Sequence, residues 1–180
     1  MMNLNMKEIT ELKVGEEIEI ELSGEQIKVS KEECNNTMPV AYSNIYTFPS
    51  VYTKKGVTKV IYIDDKFCEL PEKYQRIVFI HELGHLKYGS LRYKVGFFGN
   101  YEESYDSVIM KETKADLFGV MFSGATIKDL KKTHMAILKT LKRDNVIGYF
   151  KYILMKSLMM KRVKQAKQLM KENFSFENLK

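Results

Sequence analysis

The segment His81-Glu82-Leu83-Gly84-His85 constrains this chain more than any other part of it. In an α-helix with about 3.6 residues per turn, positions four apart lie on the same face, so His81 and His85 would project side by side. The chain has only three histidines among its 180 residues, and two of them lie in this pentad. The segment is therefore expected to be helical, with both imidazoles directed at one point.

The sequence before the pentad predicts a strand and then the helix that carries it. Residues 58–64 are rich in β-branched and aromatic side chains and follow Gly56, a pattern typical of a strand. Pro71 suits the first turn of a helix, and Glu72 complements the helix dipole there. Apolar residues then recur at helical spacing up to Gly89, which marks a helix end.

Two imidazoles and a carboxylate on one helix favour a catalytic zinc site. His81 and His85 can bind one zinc ion together, and Glu82 would then lie beside the metal, where it can act as a base. A catalytic zinc takes three protein ligands and leaves the fourth position open, so a third ligand is required. Metzincins have a glycine and a third histidine where this chain has Tyr88 and Leu91, which excludes that class.

Acidic residues downstream are candidates for the third ligand. Residues 110–122 predict a second amphipathic helix, with Ala115 and Phe118 on its buried side. On this helix Glu112 and Asp116 are four positions apart. Three other acids lie closer to the pentad in the sequence and are rival ligands: Glu102, Glu103 and Asp106.

This order of elements resembles the gluzincin metallopeptidases, and most closely their compact ImmA/IrrE type, found on phages and integrative elements and in stress responses. The resemblance lies in VIYIDDKFCELPEKYQRIVFIHELGHLKYG and KETKADLFGVMF and covers roughly residues 57–124. The residues it implies are the zinc ligands His81, His85 and Glu112, the general base Glu82, and Asp116, which orients a ligand histidine. One departure is Lys114-Ala115-Asp116, where this family often has Glu-Ala-Asn. Other gluzincins have Asp at that place.

The resemblance also implies a fold and a reaction. The expected fold is α+β and zincin-like, with a small mixed sheet, an active-site helix, a ligand helix and a C-terminal helical extension. The expected reaction is hydrolysis of a peptide bond in one specific intracellular protein, and substrates in this family are often repressors encoded nearby. A helix-turn-helix repressor is therefore the expected partner. The strand at 58–64 is expected at an exposed sheet edge, where it could pair with an extended substrate.

Charge divides the chain into two parts. Residues 1–124 hold 15 basic and 19 acidic residues, a net of −4, whereas residues 125–180 hold 14 and 4, a net of +10. We expect a catalytic domain over 1–124, made of an N-terminal β region (1–56) and a metal-binding core (57–124). A basic helical extension over 125–180 is expected to pack on it.

The extension is predicted to contain two helices. Thr126 and Asp129 form a capping box for the first, and the second is expected from Val146 to about Lys171. Basic helices of this kind can pack on the core, bind an acidic partner, contact nucleic acid or lie on a membrane surface. No DNA-reading motif is present, and aromatic residues are too sparse after Tyr152 to form a base-stacking surface. A protein partner is the favoured use.

A different class of function competes with the enzyme. A non-proteolytic regulator would retain the zinc site and act through its basic helices. An intact Glu82 argues against this alternative, because a structural zinc site needs no base. Within the enzyme hypothesis, Gly84 would leave room near the metal, and the stabiliser of the tetrahedral intermediate stays open between five residues. These are Tyr88, Tyr93, Tyr101, Tyr105 and His134, of which His134 is expected to be packed or solvent-facing on a helix.

The remaining features bound the size and the compartment. The length of 180 residues suits one domain, and residues 18–29 alternate around Ser23-Gly24 in the manner of a β-hairpin. The N-terminus lacks the pattern of a signal peptide, and no apolar run approaches about 18 residues. Cys34 and Cys68 fit reduced thiols better than a disulfide. The cytoplasm is the expected location.

Overall fold

The computed structural model describes residues 4–22, 25–33, 41–45, 59–88, 105–139, 146–172 and 174. These residues form an α+β fold with a small mixed sheet and mainly helical content. The strands are β1 (Glu17–Leu22), β2 (Glu25–Lys31), β3 (Ala41–Ile45) and β4 (Lys59–Ile63). The helices are α1 (Met6–Thr10), α2 (Asp65–Cys68), α3 (Glu72–Tyr88), α4 (Tyr105–Ser123), α5 (Ile127–Lys139) and α6 (Val146–Lys171).

The sheet has the order β1-β2-β4-β3. The antiparallel pairing of β1 with β2, in which Ile20 lies opposite Ile27, confirms the predicted hairpin. β2 runs parallel to β4 with Val29 opposite Ile61, and β3 runs antiparallel to β4 on its other side. The expectation that the strand at 58–64 is an exposed edge is therefore wrong. Its apolar residues Val60, Ile61 and Ile63 are all buried, as in a strand with neighbours on both sides.

The helix that carries the pentad is confirmed, since α3 spans Glu72–Tyr88. It contacts both the sheet and α4, and its apolar face contributes Ile77, Ile80 and Leu83 to the main core. The next helix, α4, includes the whole predicted segment 110–122 and buries Ala115 and Phe118 as expected.

The two C-terminal helices also begin where the sequence predicts. Asp129 accepts a hydrogen bond from the backbone of Thr126, and the Thr126 hydroxyl accepts one from the backbone of Asp129, which confirms the capping box. α5 contacts α3 and α4, and α6 contacts α4 and α5. The boundary expected at residue 124 stays a prediction.

The structure bears in part on two sequence expectations, which concern the cysteines and the absence of a membrane-spanning segment. Cys68 is a free thiol, and Cys34 lies outside the described residues. Over the ranges given above, no helix has both the length and the apolar character needed to cross a membrane.

Candidate metal centre

Three side chains from two helices meet at one point. His81 and His85 lie one turn apart on α3, with their Nε2 atoms 3.0 Å from each other. Glu112 reaches them from α4: its Oε2 lies 3.5 Å from His81 Nε2 and its Oε1 lies 3.2 Å from His85 Nε2. The imidazole rings are nearly perpendicular, at 83°. The predicted ligands are thus brought together as a group that could hold a metal ion.

The spacing of these donor atoms suits a small tetrahedral ion. For metal–ligand bonds of about 2.0–2.1 Å, two ligand atoms of a tetrahedral site lie about 3.3 Å apart. The two Nε2 atoms are 3.0 Å apart, and they lie 3.5 and 3.2 Å from different oxygens of Glu112. With one ligand atom taken from each residue, the three atoms all lie within 4.8 Å of one another. Two imidazoles and one carboxylate are also a ligand set found in catalytic zinc sites. The residues present therefore fit such an ion both by distance and by chemistry.

Asp116 orients the first of these histidines. Its Oδ1 lies 2.9 Å from His81 Nδ1, and both groups are buried. The carboxylate can only accept, so His81 must donate from Nδ1. This arrangement directs the other ring nitrogen, Nε2, toward His85 and Glu112, and fixes the tautomer that a metal ligand requires.

The charges of the cluster depend strongly on one another. Burial opposes protonation of His81, but hydrogen bonds to Asp116 and Glu112 outweigh it and raise the pKa of His81 to about 10. Burial opposes the charge on Glu112 as well, yet the hydrogen bonds from His81 and His85 hold the pKa of that carboxyl far below its usual range. A cation that binds here must therefore displace a proton from the imidazole.

Glu82 lies at the side of the cluster. Its Oε1 is 3.9 Å from His81 Nε2, and the residue is only 8% exposed. Because Glu82 follows His81 directly on α3, the two side chains project from different faces of the helix. Glu82 is therefore not part of the group formed by His81, His85 and Glu112. The carboxylate is thus close to the candidate metal position without being one of its ligands.

A guanidinium that was not among the predicted site residues completes the site. Arg162 of α6 donates from Nε to Asp116 Oδ2 at 2.8 Å and from Nη2 to Asp116 Oδ1 at 2.6 Å. Its Nη1 lies 3.1 Å from Glu112 Oε2. Burial opposes the charge on Asp116, but the positive charge of Arg162 outweighs it and holds the pKa of that carboxyl well below its usual range. The sequence signal was spacing, because Arg162 lies three residues after Met159 and four before Ala166, on the same face of the predicted helix.

His134 lies behind Asp116. Its Nε2 is 3.3 Å from Asp116 Oδ1, and the residue is buried. Of the two states expected for it, packed or solvent-facing, the packed state is confirmed. Its Nδ1 has no hydrogen-bond partner. The other candidates for stabilising a tetrahedral intermediate lie outside the part of the chain that the structure describes. For Tyr93 and Tyr101 this holds for the whole residue, and for Tyr88 and Tyr105 it holds for the side chain. The same holds for the rival ligands Glu102 and Glu103, and for the side chain of Asp106.

Two glycines set the distance between the two ligand-bearing helices. A Cβ at Gly119 would lie 2.6 Å from the backbone oxygen of Ile77 and 3.4 Å from the backbone nitrogen of His81. A Cβ at Gly84 would lie 3.2 Å from the side chain of Phe118. Gly84 therefore serves the contact between α3 and α4. The expectation that it leaves room near the metal stays a prediction. This close approach brings Glu112 and Asp116 within reach of the histidines.

Comparison of the chain with protein-family models, with curated proteins and with solved structures finds no match. The chemistry available at the site follows from its own residues. His81, His85 and Glu112 can supply three of the four ligands of a tetrahedral ion, which leaves one position for another molecule. A carboxylate next to that position, here Glu82, can accept a proton.

Proposed function

We propose that this protein is a zinc-dependent endopeptidase of the gluzincin type, with the zincin-like fold and the ImmA/IrrE character that the sequence resemblance implies. The observation that carries the proposal is the meeting of His81, His85 and Glu112, whose ligand atoms, one from each residue, all lie within 4.8 Å of one another. Glu82 beside them and Asp116 behind His81 are what hydrolysis needs in addition. A site with a purely structural role would require neither an open position nor a base.

The role of each residue in hydrolysis follows from its position in the site. When bound, zinc supplies a Lewis acid that polarises the substrate carbonyl and lowers the pKa of water towards about 7. Glu82 accepts the proton of the attacking water and returns it to the leaving amine. Asp116 keeps the ring of His81 oriented through the bond at Nδ1. The burial of these groups strengthens each interaction, since the local dielectric is lower than in water.

We propose a helix-turn-helix repressor of the cytoplasm as the substrate, following the resemblance. An extended segment of it would pair with β3 (Ala41–Ile45), because β3 and not β4 is the terminal strand of the described sheet and β3 contacts α3. Backbone pairing at a sheet edge supplies affinity without requiring a particular side chain. Selectivity for one partner would then come from contacts elsewhere on the protein.

The variant Glu82→Gln tests the proposal. Both the wild type and the variant should hold one zinc ion per chain, because Glu82 is not one of the three ligands. Only the wild type should cut candidate repressors, beginning with one encoded next to this gene, and the variant's rate should fall by about 10²- to 10⁴-fold. Glu69→Gln, at an exposed position before α3, serves as the matched control. Zinc binding in both proteins with cleavage by neither would refute the peptidase.

One observation favours the non-proteolytic alternative. The first half of α6 exposes apolar side chains within a basic segment, and a partner-binding helix often has this character. The exposed residues are Val146, Tyr149, Phe150, Ile153 and Leu154. Replacing Phe150 and Leu154 with serine separates the two functions: a regulator would lose its biological effect, whereas a peptidase would still cut a short peptide that spans its cleavage site.

A further inference from the structure

We infer that Arg162 is a positioning residue of the metal centre, which holds the ligand Glu112 and the histidine-orienting Asp116 in place from the C-terminal helix. The inference rests on the proposed zinc site. It extends that site from two helices to three, since Arg162 belongs to α6 and lies outside the segment that resembles the peptidase family.

The contacts are of the kind that fixes geometry. The Nε and Nη2 atoms of Arg162 donate hydrogen bonds to the two oxygens of Asp116, at 2.8 and 2.6 Å. Its Nη1 lies 3.1 Å from Glu112 Oε2. A planar guanidinium presents these donors in a rigid fork, whereas a lysine offers one flexible ammonium. The side chain of Arg162 is only 14% exposed, so little water competes for these bonds.

The helix that carries Arg162 is itself held against α4. Ala166, one turn further along α6, is fully buried, and Met159, one turn before, is nearly so. Between them, Gln165 Oε1 lies 3.0 Å from the hydroxyl of Thr113, which follows Glu112 directly on α4. The guanidinium therefore extends from a packed surface, and its position relative to the two carboxylates is well defined.

The formal charges of the site also support a role for Arg162 there. Glu82, Glu112 and Asp116 place three negative charges in one buried region. A divalent ion would neutralise two of them, and Arg162 neutralises the third. Buried charges are costly unless they are paired and hydrogen-bonded. Arg162 thus gives the buried carboxylate of Asp116 a paired, hydrogen-bonded partner beside its bond to His81.

A positioning role and a simple charge effect predict opposite results for Arg162→Met. If Arg162 acted only as a positive charge, its removal would strengthen the binding of a divalent cation. If it holds Glu112 and Asp116 in place, its removal weakens that binding, because loss of a partner behind a metal ligand typically costs about 10- to 100-fold in affinity. Affinity for the ion thus separates the two roles by its direction of change.

The experiment measures Co²⁺ affinity and the visible Co²⁺ spectrum of the full chain, neither of which depends on cleavage. We expect Arg162→Met to lose about 10- to 100-fold in affinity and to show an altered spectrum, and Arg162→Lys to lose about 10-fold. Lys164→Met, which removes a charge from an exposed position on the same helix, should stay within about twofold of the wild type. In an Asp116→Asn background, Arg162→Met should cost less than in the wild type, because Arg162 acts partly through Asp116.

Equal or tighter Co²⁺ binding by Arg162→Met, with an unchanged spectrum, would overturn the inference. If that variant does not fold, Arg162→Lys decides, because wild-type affinity in a variant that lacks the fork contradicts positioning. A wild type that binds no Co²⁺ and no Zn²⁺ would overturn the inference and the proposed function together. A wild type that binds metal but cuts no repressor would overturn the proposed function alone.

Discussion

The most demanding prediction concerns Gly119, which contributes no side chain to the site. In Gly119→Ala the new Cβ would lie 2.6 Å from the backbone oxygen of Ile77, whereas real Cβ atoms essentially never approach closer than 3.0 Å. The obstacle is the backbone of a buried helix, so it cannot swing aside. α4 must therefore move away from α3 by at least about 0.4 Å, and by about 0.8 Å to reach an ordinary contact.

That movement acts directly on the site. Asp116 lies on α4 within one turn of Gly119, and its bond to His81 Nδ1 is 2.9 Å long. A displacement of about 0.4 to 0.8 Å would stretch this bond to about 3.3 to 3.7 Å, beyond the range of a good hydrogen bond. We therefore expect zinc affinity to fall by about 10- to 100-fold.

Stability should fall as well. Overpacking against backbone costs about 3 kcal/mol, and the gain of alanine over glycine inside a helix returns about 1 kcal/mol. The net loss of about 2 kcal/mol corresponds to a decrease in Tm of about 4 to 8 °C for a chain of this size. Thermal unfolding followed by circular dichroism and zinc titration against a fluorescent chelator measure the two effects.

Gly84→Ala is the matched comparison. It lies in the same helix contact, but its Cβ would meet the side chain of Phe118 at 3.2 Å, which needs a shift of only a few tenths of an ångström. The gain in helix propensity offsets that strain, so its stability should stay within about 1 kcal/mol of the wild type and its zinc affinity should be unchanged. If Gly119→Ala matched the wild type in both measurements, the close approach at Gly119 would not be what places Asp116.

Three further predictions concern the group formed by His81, His85 and Glu112 and its partner Asp116. Asp116→Asn should lower zinc affinity by about 10- to 100-fold, because the amide no longer offers a charged acceptor to His81 Nδ1. Competition with a chelator measures this affinity, and an unchanged value would contradict the role of Asp116. In EDTA-treated protein the pKa of His81 lies at about 10, above its ordinary 6.5, so its contribution to stability is complete below about pH 6.5 and is lost as the pH rises through 10. The Tm of EDTA-treated protein should therefore fall between pH 7 and 10 more than that of a His81→Gln variant, and equal slopes would count against the assignment. Zinc at about 100 times its Kd should stabilise the EDTA-treated wild type by about 2.7 kcal/mol, and the same addition should leave the Tm of His85→Ala nearly unchanged.

The local elements of this fold could be predicted from the sequence. The helix around the pentad, the N-terminal hairpin, the capping box at Thr126 and the extent of α6 all rest on patterns within about 25 residues, where periodicity and capping chemistry act directly. The meeting of His81 and His85 likewise follows from helical spacing alone. The approach of Glu112 and Asp116 was implied by resemblance, because spacing along the chain does not say how two helices pack.

The features that were missed depend on such packing. β4 was expected at an edge, although its apolar run is also the pattern of an interior strand, and only the pairing with β2 and β3 decides between the two. Arg162 lies 46 residues from Asp116 and within a lysine-rich segment, so it resembled part of a solvated face. The function of Gly84 similarly depends on Phe118, which belongs to another helix.

The central claim is that His81, His85 and Glu112 bind one zinc ion together. X-ray absorption at the zinc edge, on the full chain loaded with one equivalent, tests it most directly. The spectrum should show only nitrogen and oxygen neighbours at about 2.0 to 2.1 Å, with imidazole scattering that decreases in His85→Ala. A sulfur neighbour at about 2.3 Å, or a wild-type chain that retains no zinc, would contradict the claim.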